Sequence, residues 1–183
     1  MPRLASLTDG MGYGIYCQNL GFTFSMRRLK TFTVFGVNEE TKLTTSVRPS
    51  FETIYINLAS QLARRSTCKR LKVGTVITST DYRKVLAVGY NGNASGLTNS
   101  CDRDEPGNCG CLHSEENAVI NCDALRSVEK HVFVTHLPCV MCAKRLINLG
   151  NVRKVFYAES YRVTDSIDVL TKLGIDVSQV SPE

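Results

Sequence analysis

The stretch Cys109-Gly110-Cys111-Leu112-His113-Ser114-Glu115-Glu116-Asn117-Ala118 is answered downstream by Thr135-His136-Leu137-Pro138-Cys139-Val140-Met141-Cys142. The first offers a histidine and, two residues on, a carboxylate; the second offers two cysteines at Cys-x-x-Cys spacing behind a proline. Cysteines three apart on a helix point to the same side and can share one ion. An imidazole and two thiolates make a zinc set with an open fourth position, and two thiolates already neutralise the ion's formal charge. Glu115 is therefore free to move protons on a water held there. Both halves are expected at helix N-termini, where unsatisfied N–H groups favour thiolates. The competing reading is a closed site in which Glu115 is only a first-turn helix carboxylate.

The elements on either side follow from this placement. Ser50 is an N-cap for an amphipathic helix over 51–65, with Phe51, Ile54, Tyr55, Leu58 and Leu62 at helical spacing. Lys72 to Ile77 and Val85 to Tyr90 read as a hairpin joined by Thr80-Asp81-Tyr82-Arg83, followed by a loop from Asn91 that persists through Pro106 and Gly107. A helix from Ser114 should bury Ala118, Val119, Cys122 and Leu125. A strand at 131–135 leads to a helix at 139–149, with Ala143, Leu146 and Ile147 inward and Gly150 as its stop. A strand at 152–158, a helix at 166–173 ended by Gly174, and a last strand at 175–177 complete the order. Strands interleaved with helices at this spacing predict an α/β fold, a mixed sheet covered on both faces.

The chain has 183 residues, 43% hydrophobic and 21% charged, which suits one domain with a proper core. Its net charge of +5 and pI near 8.8 suit an anionic small molecule such as a phosphate ester. Aromatic residues do not alternate with basic ones in a stacking platform, so no nucleic-acid partner is expected. No segment has the length of a membrane span, and the N-terminus lacks secretory features, so a cytoplasmic setting with reduced thiols is expected. Residues 1–48 carry no motif: a basic knot follows Met26, itself a second candidate start, and Lys30 to Val37 alternates like a strand. They read as an extension or an extra edge element, ahead of a domain over 49–183.

Eight cysteines is a high count for such a chain. Cys139 and Cys142 are assigned, Cys122 falls on a buried helix face, and Cys17 has no role to give it. Cys68, Cys101, Cys109 and Cys111 lie in loops or at element ends. Four loop thiols in a reducing compartment suggest a second, closed, structural zinc tying the 66–70 turn and the 98–112 loop to the catalytic helix. Four incidental free thiols are the alternative.

Histidine-x-glutamate followed by Pro-Cys-x-x-Cys is the signature of zinc nucleobase deaminases. Together with Arg65-Ser66-Thr67-Cys68, Val73-Gly74-Thr75-Val76-Ile77 and Gly89-Tyr90-Asn91-Gly92, in that order, it makes the chain resemble the deoxycytidylate (dCMP) deaminase family over roughly residues 51–178. The resemblance implies a three-layer α-β-α sandwich with a mixed five-stranded sheet, usually assembled as a hexamer. It implies that Asn91 binds the deoxyribose hydroxyl and that Tyr161 lies against the substrate. Some members of that family also bind a dCTP or dTTP effector, with Mg2+, near the loop of Gly89, Tyr90, Asn91 and Gly92. Some phage and bacterial members carry a second zinc at the place assigned to Cys68, Cys101, Cys109 and Cys111. Three departures stand out: Ser114 replaces the usual alanine, Leu137 stands where a serine commonly precedes Pro-Cys, and a frequent proline after Gly92 is missing.

The reaction implied is hydrolysis of dCMP to dUMP, with Glu115 shuttling protons and the backbone around Leu137 and Pro138 steadying the amino group. Arg64, Arg65, Lys69 and Arg162 are the cations nearest in sequence for the monophosphate. Two alternatives stay open: a zinc deaminase acting on cytidine, guanine or tRNA adenosine, and a non-catalytic zinc module that senses nucleotides.

Overall fold

A computed structural model describes residues 48–105, 108–161 and 164–183 of the chain. The readings placed on residues 1–47, including the alternation over Lys30 to Val37 and the unassigned Cys17, lie outside the described residues, as do Pro106, Gly107 and Arg162.

The Ser50 side chain accepts from the Thr53 N–H and starts α1 (Phe51–Ala63). Strand β1 (Gly74–Ser79) and β2 (Val85–Tyr90) form the expected antiparallel hairpin, with Tyr82 at φ 61° in its turn. Then follow α2 (Ser114–Ile120), β3 (Lys130–His136), α3 (Val140–Leu149), β4 (Val152–Glu159), α4 (Asp165–Thr171) and β5 (Asp176–Gln179). Among the described residues, five strands pair in the order β2-β1-β3-β4-β5; β1 is antiparallel to β2 and β3, while β3, β4 and β5 run parallel. Interior strand β1 is buried along almost its whole length, as a strand covered on both faces must be.

Two apolar layers result. On one face Ile56 and Ala59 of α1 pack on Val76, Phe133, Phe156 and Ala158. On the other, Ala118 of α2, Ala143 and Leu146 of α3 and Leu170 of α4 pack on Ile77, Val132, Val134 and Val155. Alternate residues of β3 therefore feed opposite layers, as the pleat requires. The fold is the three-layer sandwich that the sequence predicts.

Two helix faces differ from expectation. In α1 the fully buried residues are Ile56 and Ala59 with Ala63 nearly so, while Phe51, Ile54 and Leu58 are exposed. The cause is close approach: a Cβ at Gly74 would lie 2.0 Å from the Ala59 carbonyl oxygen, so the helix turns its small side chains to the sheet. Helix α2 stops at Ile120, short of the longer helix that would have buried Leu125, and Leu125 is 73% exposed. Cys122 still packs at the margin of the core.

Candidate metal centre and cleft

The carboxyl ends of β2, β3 and β4 lie at one end of the sheet, where ligands bind in open α/β folds. A cleft of about 650 Å³ opens there, lined by segments before β1, after those three strands and at the start of α2. That volume lies within the usual range for small-molecule sites.

His113 is the N-cap residue of α2, and Cys139 is the N-cap of α3 with its sulfur facing the Cys142 N–H at 3.5 Å. The loop before α2 is pinned by a two-way backbone bridge between Gly92 and Leu112. Gly89 has a packing task beside it, since a Cβ there would lie 2.2 Å from the Ser114 carbonyl oxygen. In this arrangement His113 Nδ1 is 3.3 Å from Cys142 Sγ and 3.7 Å from Cys139 Sγ. All three donor atoms lie within 4.8 Å of one another, which fits one ion with a position to spare.

The electrostatics agree with the geometry. The Cys142 thiol beside it, opposed by burial and aided by His113, brings Cys139 down to about 3, so it stands as a thiolate. The Cys139 side chain in turn raises the His113 pKa. The same three donors thus attract positive charge, carried by a proton or by a metal ion. Glu115 is 4% exposed, and burial raises its pKa. Its carboxylate oxygen Oε2 accepts from Ser114 Oγ at 2.9 Å.

Cys68, Cys101, Cys109 and Cys111 also meet, with sulfurs within 4.8 Å of one another. The separations Cys68–Cys109, Cys68–Cys101 and Cys101–Cys111 are 3.8, 3.8 and 3.7 Å. A tetrahedron with zinc–sulfur arms of about 2.3 Å has edges of about 3.8 Å. Disulfide sulfurs would be about 2 Å apart, so these are free thiols in a metal-like arrangement. Burial opposes ionisation of Cys68, but the Leu71 and Arg70 backbone and two neighbouring thiols hold it at about 7. Gly110, at φ 81°, makes the turn between Cys109 and Cys111.

Of the remaining expected residues, Asn91, Leu137 and Tyr161 line the cleft. Asn91 is 7% exposed; its Oδ1 accepts from the Val73 N–H at 2.8 Å, and its Nδ2 donates to the Leu71 carbonyl at 2.7 Å. Arg64, Arg65 and Lys69 are not among the lining residues: Arg64 bonds Gln61 beside it on α1, and Arg65 lies over the Tyr90 ring. Among the described residues, the arginine or lysine that lines the cleft is Arg70, two residues past Cys68, whose guanidinium also donates to the Asp104 carbonyl. His136 lines it too, with Nε2 3.1 Å from Glu159 Oε2. Sequence reading passed over both. Arg70 had no signal beyond its closeness to Cys68, whereas His136 at the end of a strand just before Leu137-Pro138-Cys139 was a usable clue.

Residues 49–159 match the family model described as the cytidine and deoxycytidylate deaminase zinc-binding region. The chain is 33% identical over 156 residues to the deoxycytidylate deaminase of Saccharomyces cerevisiae, a match covering 79% of this chain and 49% of that one. It is thus a match to about half the length of the yeast relative. Against the deoxycytidylate deaminase of Mycobacterium phage D29 it is 30% identical over 128 residues, covering 62% of this chain and 98% of the phage protein. Among solved structures, the dCMP deaminase of cyanophage S-TIM5 in complex with dCMP and dUMP is 35% identical, with a TM-score of 0.63, over 73% of this chain and 99% of that one.

Proposed function

The chain belongs to the cytidine and deoxycytidylate deaminase zinc-binding family, and on that premise we propose that it hydrolyses dCMP to dUMP and ammonia, with residues 49–183 as the deaminase domain and 1–48 as an extension to it. The observation that carries the reading is the set of three donors, His113, Cys139 and Cys142, opening on a cleft that Glu115 also lines.

His113, Cys139 and Cys142 would hold a zinc ion, which would supply the Lewis acidity that makes water nucleophilic near neutral pH. Glu115, whose pKa burial raises and so makes it a stronger base, takes a proton as carboxylate from the attacking water, passes it to the ring nitrogen and helps ammonia leave. Asn91 is assigned to the deoxyribose hydroxyl, since its Nδ2 has a second proton beyond the one given to Leu71. Tyr161 is assigned to the base, and the backbone around Leu137 and Pro138 to the amino group. Arg70 is assigned to the phosphate in preference to Arg64 and Lys69, because it faces the cleft. The four cysteines Cys68, Cys101, Cys109 and Cys111 hold a second, structural zinc. Regulation by dCTP or dTTP with Mg2+ at the Gly89 to Gly92 loop, hexameric assembly and a cytoplasmic setting belong to the same proposal.

Parallel assays on dCMP, deoxycytidine and a tRNA anticodon stem test it. Turnover of dCMP is expected, and activity on the other two alone overturns the reading. A non-catalytic module would behave identically after Glu115→Gln, whereas the enzyme stops turning over.

A further inference from the structure

Ser114 occupies the position where the family resemblance leads one to expect alanine, and its hydroxyl is fully engaged. Ser114 Oγ donates to Glu115 Oε2 at 2.9 Å and lies 2.8 Å from Thr75 Oγ1. Ser114 and Thr75 are completely buried, and Glu115 nearly so. A hydroxyl carries one proton. With that of Ser114 given to the carboxylate, Thr75 must donate to Ser114 Oγ, and the chain runs one way from Thr75 through Ser114 to Glu115.

The anchor of this chain is firm. Thr75 pairs with Gly89 on one side and Val134 on the other, in an interior strand of the sheet. The close seat of α2 over Gly89 is what brings Ser114 within reach of it. An unanchored glutamate has a broad, roughly two-fold terminal torsion, so either oxygen could face the reacting water. A hydrogen bond to an ionised carboxylate is among the stronger ones available to a side chain.

We propose that Ser114 and Thr75 are positioning residues that fasten Oε2 of Glu115 and leave Oε1 as the oxygen that handles protons in the cleft. The proposal rests on the deaminase reading for the identity of the reaction, and on the hydrogen bonds alone for the orientation of the carboxylate.

The test compares Ser114→Ala, Thr75→Val and Thr75→Ser, each with its zinc content measured. Ser114→Ala and Thr75→Val should each lower kcat for dCMP about threefold to tenfold at unchanged KM, the scale of losing the net worth of one ordinary hydrogen bond. Thr75→Ser keeps the hydroxyl and should keep kcat, and the Ser114→Ala/Thr75→Val double variant should be no slower than Ser114→Ala. A crystal structure of Ser114→Ala should show the Glu115 carboxylate rotated from its wild-type orientation. Wild-type kcat in Ser114→Ala, or an equal loss in Thr75→Ser, overturns the proposal. If the wild-type protein does not turn over dCMP, the functional reading fails instead, and an unrotated carboxylate in that crystal structure then overturns the positioning role.

Discussion

The described residues hold two thiol-rich clusters whose nearest members, Cys111 and His113, are two residues apart, and they differ in donor count and in what surrounds them. The four-cysteine cluster joins loops: among the described residues from Asn93 to Cys111 there is no helix or strand. Three of its cysteines are half-exposed, and only Cys68 is buried. The His113 cluster is built on two helix starts, with its own Cys142 buried along with Ala143 and Leu146 of the same helix. A cluster with four thiolates is complete and can serve only to join chain segments, whereas three donors leave a position for chemistry. Helices already hold the second cluster in place. The loops have too little packing to do the same for the first, so a cross-link is worth most there.

The largest expected effect falls on the open cluster. Glu115→Gln should lower dCMP turnover about 10²- to 10⁴-fold, the usual worth of a general acid–base, while zinc per chain and thermal midpoint stay near wild type. Loss of an ion in that variant, measured by atomic absorption, would show Glu115 to be a donor and dissolve the distinction between the clusters. Next comes the closed cluster. Wild-type protein should carry two zinc ions per chain, and Cys111→Ser should carry one. Losing a structural metal ranks with the most damaging single changes, about 3–4 kcal/mol, or a fall in Tm of about 6–16 °C for a chain of this size. Activity should fall with it, because Leu112 and His113 follow directly. A Cys111→Ser protein with unchanged Tm would reduce the four cysteines to incidental thiols.

Arg70 links the two. It follows Cys68 by two residues, bonds the Asp104 carbonyl in the loop that the cluster ties down, and faces the cleft. Arg70→Ala should raise KM for dCMP about 10- to 100-fold, the worth of a hydrogen bond to a charged group, and leave kinetics on deoxycytidine unchanged. An equal loss on the nucleoside would remove Arg70 from the phosphate.

The open cluster was legible because its chemistry is written in local spacing: His113 with Glu115, and Cys139 with Cys142, each pair within one helical turn. Element order was legible for a similar reason, since caps such as Ser50 and stops such as Gly150 act locally. What the sequence hid depends on approach between distant segments. Phe51, Ile54 and Leu58 form as good an apolar stripe as any, yet they face outward because Ala59 and Ala63 fit against Gly74 more closely than large side chains would. Arg70 and Lys69 are equivalent in sequence, and only the path of the chain past Cys68 turns one of them to the cleft. The Thr75–Ser114 bond spans 39 residues and has no signal in either segment.

The smallest expected effect probes how firmly the closed cluster is held by its own backbone. Gly110 has φ 81°, and a Cβ there would lie 2.6 Å from Asp102 Oδ2 and 2.8 Å from Asp102 Cβ. Asp102 does not swing aside without consequence, because its Oδ1 accepts from Asn93 Nδ2 at 2.8 Å and its N–H donates to the Cys109 carbonyl. Alanine in a left-handed conformation costs about 1–2 kcal/mol, so Gly110→Ala should lower Tm by about 2–8 °C, less than Cys111→Ser, with both zinc ions retained. Its kcat on dCMP should not change, since His113 is separately pinned by the Gly92–Leu112 bridge. If kcat falls along with Tm, strain in the closed cluster is passing through Leu112 to the catalytic helix, and the two clusters act as one mechanical unit.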